Sequence, residues 1–508
     1  MKNRQLIMSL SLASAAVIGG NAPAQAVTFD FSYQPGITLE QMLGFEMAGQ
    51  IWSYYLTDDV TVNIHVEMTN ALPFNVLGGA LPGIQKNKNY GTFRQNLRSD
   101  RTSADDYTAY EHLQAHLYQD GYTRYHSVFE TGQRWYNKNI SLTNANAKAI
   151  NYYHNNNNND NNDSLLDGYI VMNSDFNWSY DYERNEPIEE EEVIDFTSVA
   201  VHEIGHILGF VTGVDSTILA DYDATDQQNL ERLFRTTSLD MYRYSDWSAA
   251  RNRLELAYGA NAYFSLDGGD TALAYFSEGQ DFDLGLGGDG YQASHWDGYG
   301  DDLGIMKPAL GWGERANISA LDLRAFDAIG WNLNPDRFPS QDSNELLDIN
   351  NLDMTLDFNE LLNNAKSTLG QKIGGNLNNC SVNPLSEPQD ICVIPEELID
   401  NVTQDRIDDV IEMYEWGHGG GGGGGGSGGS GGGGGSGGSG GGGSSGGGGN
   451  GSGQVLGHVL EQGFFSDFNW STFNPDQGVA QVPDPGATSG LIGLGLFGIG
   501  GLFKGRRR

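Results

Sequence analysis

The chain has 508 residues, with 28 Lys and Arg against 66 Asp and Glu, a formal charge of −38, 71 Gly and only 2 Cys. That acidity excludes a nucleic-acid binder, which needs a Lys/Arg field to meet phosphates. Two cysteines exclude a disulfide-dense miniprotein, and the length leaves ample material for a buried core in one to three domains.

Residues 1–26 read as a secretory signal: Lys2 and Arg4, an apolar stretch from Leu6 to Gly20, then the small-x-small site Ala24-Gln25-Ala26. Export is therefore expected. The main body spans 27–334. Leu39 to Leu56 has the spacing of an amphipathic helix, and Val60 to Met68 alternates with strand period. An Asn/Asp loop (Asn155 to Asp163) precedes a second strand candidate, Gly168 to Asn173. Helices alternating with short strands predict an α+β fold. The acidic run Glu189 to Glu192 reads as a solvated approach to the next helix.

That helix carries the chemistry. In DFTSVAVHEIGHILGF (Asp195 to Phe210), Asp195 or Thr197 can cap a helix with Val199, Val201, Ile204, Ile207 and Leu208 along it. His202 and His206 lie four residues apart, so both imidazoles project from one face and can share a Zn²⁺. Glu203 sits beside the first of them, placed to act as a general base on water. A catalytic zinc needs a third protein ligand. Asp215, Glu231 and Asp240 lie within reach along the chain; the stronger candidate is His295, in QASHWDGYGDDLGIMKPAL (Gln292 to Leu310).

Gly209 completes HExxHxxG, and this pattern with the later SHW…IMxP resembles the leishmanolysin-like branch of the metzincin metalloproteases. The resemblance covers about 195–310 and departs from the common short form at Thr212, which stands where many metzincins place their third ligand. It implies a metzincin-like catalytic domain with a small twisted sheet and a mostly helical C-terminal subdomain. It further implies His202, His206 and His295 as zinc ligands, Glu203 as general base and Met306 as the apolar floor of a Met-turn. Tyr299 is a structural residue in this reading. A Ca²⁺ site among Asp297, Asp301, Asp302 and the acidic loop Asp281 to Asp289 is the weaker expectation, with no EF-hand spacing behind it.

Ser238 to Ser245 reads as packing, and Ile318 to Leu333 as the helix that closes the catalytic domain. Residues 335–416 read as a helical accessory segment, in which Cys380 and Cys392 are expected to pair because export is oxidising and no other Cys exists. Residues 417–453 contain 28 Gly in 37 positions, a flexible linker ahead of a tail, 454–481. In 482–508, Pro483-Asp484-Pro485, the apolar Leu491 to Phe503 and Arg506 to Arg508 resemble a PEP-CTERM sorting signal. That resemblance implies transient insertion in the inner membrane, an exosortase-like processing partner, and a place in the envelope or extracellular matrix of a Gram-negative bacterium. The expected function is a secreted or surface-attached zinc endopeptidase acting on proteins or peptides, with cationic substrates favoured by the acidic body. The alternative is an envelope or matrix structural protein that keeps zinc with little turnover.

Overall fold

The first strand, the first helix and the second strand form a parallel crossover, and the rest of the described fold is laid against it. The computed structural model describes residues 26–70, 72, 76–129, 134–152, 166–184, 187–188, 193–214, 236–279, 287–298, 303–335, 337, 356–373 and 479–481. The fold is mixed α+β with several small sheets. Strands β1 (Thr28–Tyr33) and β2 (Thr61–Thr69) flank helix α1 (Leu39–Tyr55), whose N-terminus is closed by a reciprocal Thr38–Gln41 capping box. The remaining elements of the first half are β3 (Gly78–Pro82), β4 (Ile84–Asn89), α2 (Tyr90–Asp100) and α3 (Ala104–His112). They are followed by β5 (His116–Leu117), β6 (Thr123–Val128), β7 (Arg134–Asn137), β8 (Asn139–Thr143), α4 (Asn144–Ala149) and β9 (Gly168–Asn173).

The main sheet has the order β1-β2-β9-β3, with β3 alone antiparallel and at the edge. Phe29, Phe31 and Tyr33 alternate onto the face that meets α1, as the period of a strand requires. Helix α5 (Phe196–Leu208) packs beside α1 and across β3 and β9, and every one of its residues is buried. The indole N–H groups of Trp52 and Trp331 donate to the Val201 and Leu208 carbonyls at 2.9 and 2.8 Å, pinning α5 from both sides. Helix α6 (Ala320–Ala328) lies within the expected 318–333 segment.

Of the segment 335–416, the described residues form helix α7 (Phe358–Lys372) and its immediate flanks, with 335 and 337, and the helix packs on the body along α1. Leu361, Leu362, Ala365 and Leu369 are buried there, and Lys372 Nζ reaches Glu46 Oε1 at 2.8 Å. Tyr33 Oη donates to the same oxygen at 3.0 Å, so the buried Glu46 has two partners. Residues 309–311 pair antiparallel with 479–481. Residues 1–25 of the signal segment, Cys380 and Cys392, the Gly-rich linker and the sorting segment lie outside the described residues. Among those described, no helix is long and apolar enough to cross a membrane.

Where α2, α3 and α6 meet, acidic side chains crowd together with few cations. Asn332 Nδ2 donates to Asp58 at 3.0 Å and Asp100 at 3.4 Å, while Ser103 Oγ donates to Asp327 at 2.5 Å. Burial pushes Asp58 up to about 6; burial and the neighbouring Asp58 and Asp106 push Asp100 up to about 8. Asp106 and Asp327 are likewise raised, first by burial. A carboxyl whose folded pKa lies above its unfolded value of about 3.9 binds more protons folded than unfolded. Its contribution therefore declines as pH rises from about 4 through its folded pKa. Asp100→Asn is expected to be near neutral at pH 4 and to stabilise the chain at pH 8.5, measured as the difference in denaturation midpoint from wild type. An equal effect at both pH values would contradict a protonated Asp100.

Candidate metal centre

Helix α5 starts as its sequence dictates. Asp195 accepts the Ser198 backbone N–H at 2.9 Å and also pairs with Arg184, so Asp195 rather than Thr197 is the cap. The helix ends at Gly209, whose φ of +128° is open to glycine and strained for other residues. A Cβ there would also stand 2.9 Å from Ile329 Cδ1.

Within α5, the four-residue spacing puts His202 and His206 on one face, and their Nε2 atoms lie 3.0 Å apart. The loop carrying His295 brings its Nε2 to 3.3 Å from that of His202. The three histidines, all buried, form the one His/Cys/Asp/Glu group among the described residues able to hold a metal ion. Each Nδ1 is committed elsewhere: His202 to the Ile305 carbonyl (2.7 Å), His206 to that of Phe210 (2.7 Å), His295 to that of Gln292 (3.1 Å). A carbonyl only accepts, so each Nδ1 carries the proton and each Nε2 presents a lone pair to the other two. Three lone pairs at this separation repel unless a cation lies between them, and that is the fit the donor set makes to a metal.

The protonation state agrees. Burial, then the neighbouring His206, holds His202 well below the usual histidine range. Burial brings His206 down to about 4, and burial with the other two rings lowers His295 strongly. Neutral imidazole is the form that binds metal.

Glu203, fully buried, projects toward the edge strand: a Cβ built on Gly78 of β3 would stand 3.2 Å from its Oε1. Met306 lies beneath the helix, where a Cβ on Gly205 would meet its Sδ at 2.5 Å. Glycine at 205 is therefore what lets the methionine pack against the helix there. Thr212 is no ligand. Its hydroxyl bonds the Asp240 carboxylate, and its N–H donates to Ser294 Oγ at 3.0 Å, next to His295.

Asp240 is thereby removed from the ligand candidates. Its carboxylate also accepts the N–H groups of Gly213 (3.0 Å) and Thr237 (2.8 Å), tying together the chain on both sides of 215–235. Asp215 and Glu231 lie outside the described residues, as do Tyr299, Asp301 and Asp302. For the calcium expectation, Asp289 accepts the backbone N–H groups of Glu278 and Tyr291, and no acidic group among the described residues converges on a second ion position.

Asp240, weighed in the sequence as a ligand, instead anchors the segment beside His295. One residue of the centre escapes the sequence reading, Asp322, fully buried. Its carboxylate accepts Trp296 Nε1–H (2.9 Å), the Ile305 and Met306 N–H groups (2.8 and 3.3 Å), and Ser319 N–H and Oγ–H (2.7 and 2.9 Å). It thus joins the residue after His295, the turn at Met306 and the start of α6; Ile305 in turn holds His202. The signal for it was present as a capping box, Ser319-x-x-Asp322. Asp322→Asn would turn an amide N–H₂ toward these donors. The expected result is metal affinity lowered about 10- to 100-fold, by competition with a chromophoric chelator, and stability lowered by about 2–4 kcal/mol. Unchanged affinity would detach Asp322 from the centre.

Comparison with protein-family models, with curated proteins and with solved structures returns no match.

Proposed function

We propose that this chain is an exported zinc-dependent endopeptidase of metzincin-like architecture, with His202, His206 and His295 holding the ion and Glu203 as general base. The observation that carries the reading is the convergence of three deprotonated Nε2 atoms at 3.0 and 3.3 Å, with the buried Glu203 next to His202 in the chain. Zinc–imidazole bonds of about 2.0–2.1 Å in a tetrahedral site require nitrogens roughly 3.3 Å apart. Three protein ligands are also the number that a catalytic zinc takes, leaving one position open. The Met306 turn beneath the helix and the lone antiparallel edge strand above Glu203 support the same reading.

A zinc ion held here supplies Lewis acidity toward a substrate carbonyl and makes water a better nucleophile at neutral pH. The chain's own groups do the rest. Glu203 takes the proton from the attacking water on a carboxylate oxygen and passes it to the departing amine nitrogen. The β3 edge gives an extended substrate a strand to pair with, so its scissile bond is presented beside Glu203. The Nδ1 hydrogen bonds fix all three rings, and Asp322 and Asp240 hold the loops that deliver them.

The test uses the full chain. Casein cleavage should be abolished by 1,10-phenanthroline and restored by Zn²⁺, with one zinc per chain recovered. Stoichiometric zinc with no cleavage of casein, gelatin or a mixed peptide library would overturn the hydrolytic reading and favour a zinc-bearing structural protein.

A further inference from the structure

Beyond the Gly-rich run, the tail of the chain comes back to the body. Val479–Gln481 pairs antiparallel with Ala309–Gly311, setting Ala309 opposite Gln481, Leu310 opposite Ala480 and Gly311 opposite Val479. Among the described residues, neither of these strands pairs with any other. The sequence accounts for where the tail strand stops. Val482 is followed by Pro483 and Pro485, which lack the N–H that a ladder needs, so the pairing ends at Gln481.

The receiving strand is braced in advance. Glu314 pairs with Lys307 and accepts the Gly311 N–H at 2.6 Å, closing a loop around Ala309–Gly311. The Gly313 N–H donates to the Val193 carbonyl at 2.8 Å, and Ala309 and Leu310 are buried. Because the Gly311 N–H is directed to Glu314, the pair that exchanges both N–H···O bonds across the ladder is Leu310 with Ala480. This strand also follows directly on the metal centre. The Ile305 carbonyl accepts from His202 Nδ1, and Met306 packs against Gly205. Three residues further on, Ala309 lies within about 11 Å of Met306, the most that three peptide units can span.

We propose that Ala309–Gly311 is a strand-addition edge that the chain fills with its own tail, a weak occupant that an extended peptide of the same kind displaces. Three paired residues are marginal by themselves. Tethering raises their local concentration, and the braced edge lowers the cost of ordering, so the contact holds at rest and yields to competition. Val482 follows at once, so the segment 482–508 starts at the surface of the body and not at the far end of the Gly-rich run. The inference stands whatever the metal centre catalyses.

The test compares the full-length chain with its Ala480→Pro variant, which removes the tail N–H facing Leu310 and leaves residues 26–373 unaltered. Hydrogen exchange at the Leu310 amide should become at least tenfold faster in the variant, with an unchanged circular dichroism spectrum as the check on folding. A labelled peptide of the tail sequence, Gly-Val-Ala-Gln-Val (478–482), should bind the variant saturably by fluorescence anisotropy and the wild type at least tenfold more weakly. The same peptide with proline in place of its alanine should bind neither chain. Unchanged exchange at Leu310, or equal binding of the peptide to both chains, would overturn the proposal. So would the absence of saturable binding to Ala480→Pro, since the edge would then have no affinity for an added strand. These readouts involve neither zinc nor casein cleavage, so this inference and the peptidase reading fail separately.

Discussion

Glu203→Gln is expected to keep one zinc per chain and to lower the turnover of casein by about 10³-fold or more, with KM little changed. Glutamine matches glutamate in shape, so the packing under β3 survives, but its amide cannot accept the proton of the attacking water. The loss expected for removing a positioned general base is about 10²–10⁴-fold. Because Glu203 is proposed as the base and the three histidines as ligands, metal content separates its role from theirs. Isothermal titration with zinc and progress curves on one preparation supply both readouts. Loss of zinc in this variant would make Glu203 a ligand; retained turnover would remove it from the chemistry.

His295→Ala should have the opposite signature on metal. Two imidazoles on α5 remain, and zinc affinity is expected to fall well beyond the 10- to 100-fold produced by losing a supporting hydrogen bond. Turnover should disappear with the metal. The second substitution Thr212→His should not restore either property. In the wild-type fold the Thr212 side chain is turned to Asp240 and its N–H is held by Ser294, so the position serves the loop and not the ion. Restoration by Thr212→His would show that the short-form geometry is reachable and that His295 is dispensable.

Much of the centre was legible because it is local. A capping Asp195, two histidines at helical spacing and a terminating Gly209 lie within one stretch, and each answers to backbone geometry at its own position. The helix from Leu39 and the strands at 60–68 and 168–173 follow from periodicity and appear as Leu39–Tyr55, Thr61–Thr69 and Gly168–Asn173. What was not legible depends on partners distant in sequence. The edge strand Gly78–Pro82 contains two glycines and a proline, residues depleted from strands, and only its place at a sheet edge over Glu203 accounts for them.

Asp322 looked like any other acid until its donors were in place, four of the five coming from backbone or indole N–H groups, and Asp240 read as a possible ligand until its carboxylate met Thr212, Gly213 and Thr237. Composition misleads in a similar way. A chain at −38 reads as uniformly acidic, yet folding stacks His116 on His126 and lays Arg134 over the neighbouring Tyr136 ring.

The most direct measurement is zinc-edge X-ray absorption on the metal-loaded full chain. The account predicts three imidazole nitrogens at about 2.0–2.1 Å with one further light atom, and the loss of one imidazole from the outer-shell pattern in any residual zinc bound by His295→Ala. Two imidazoles in the wild type, or a wild-type pattern that survives removal of His295, would contradict it.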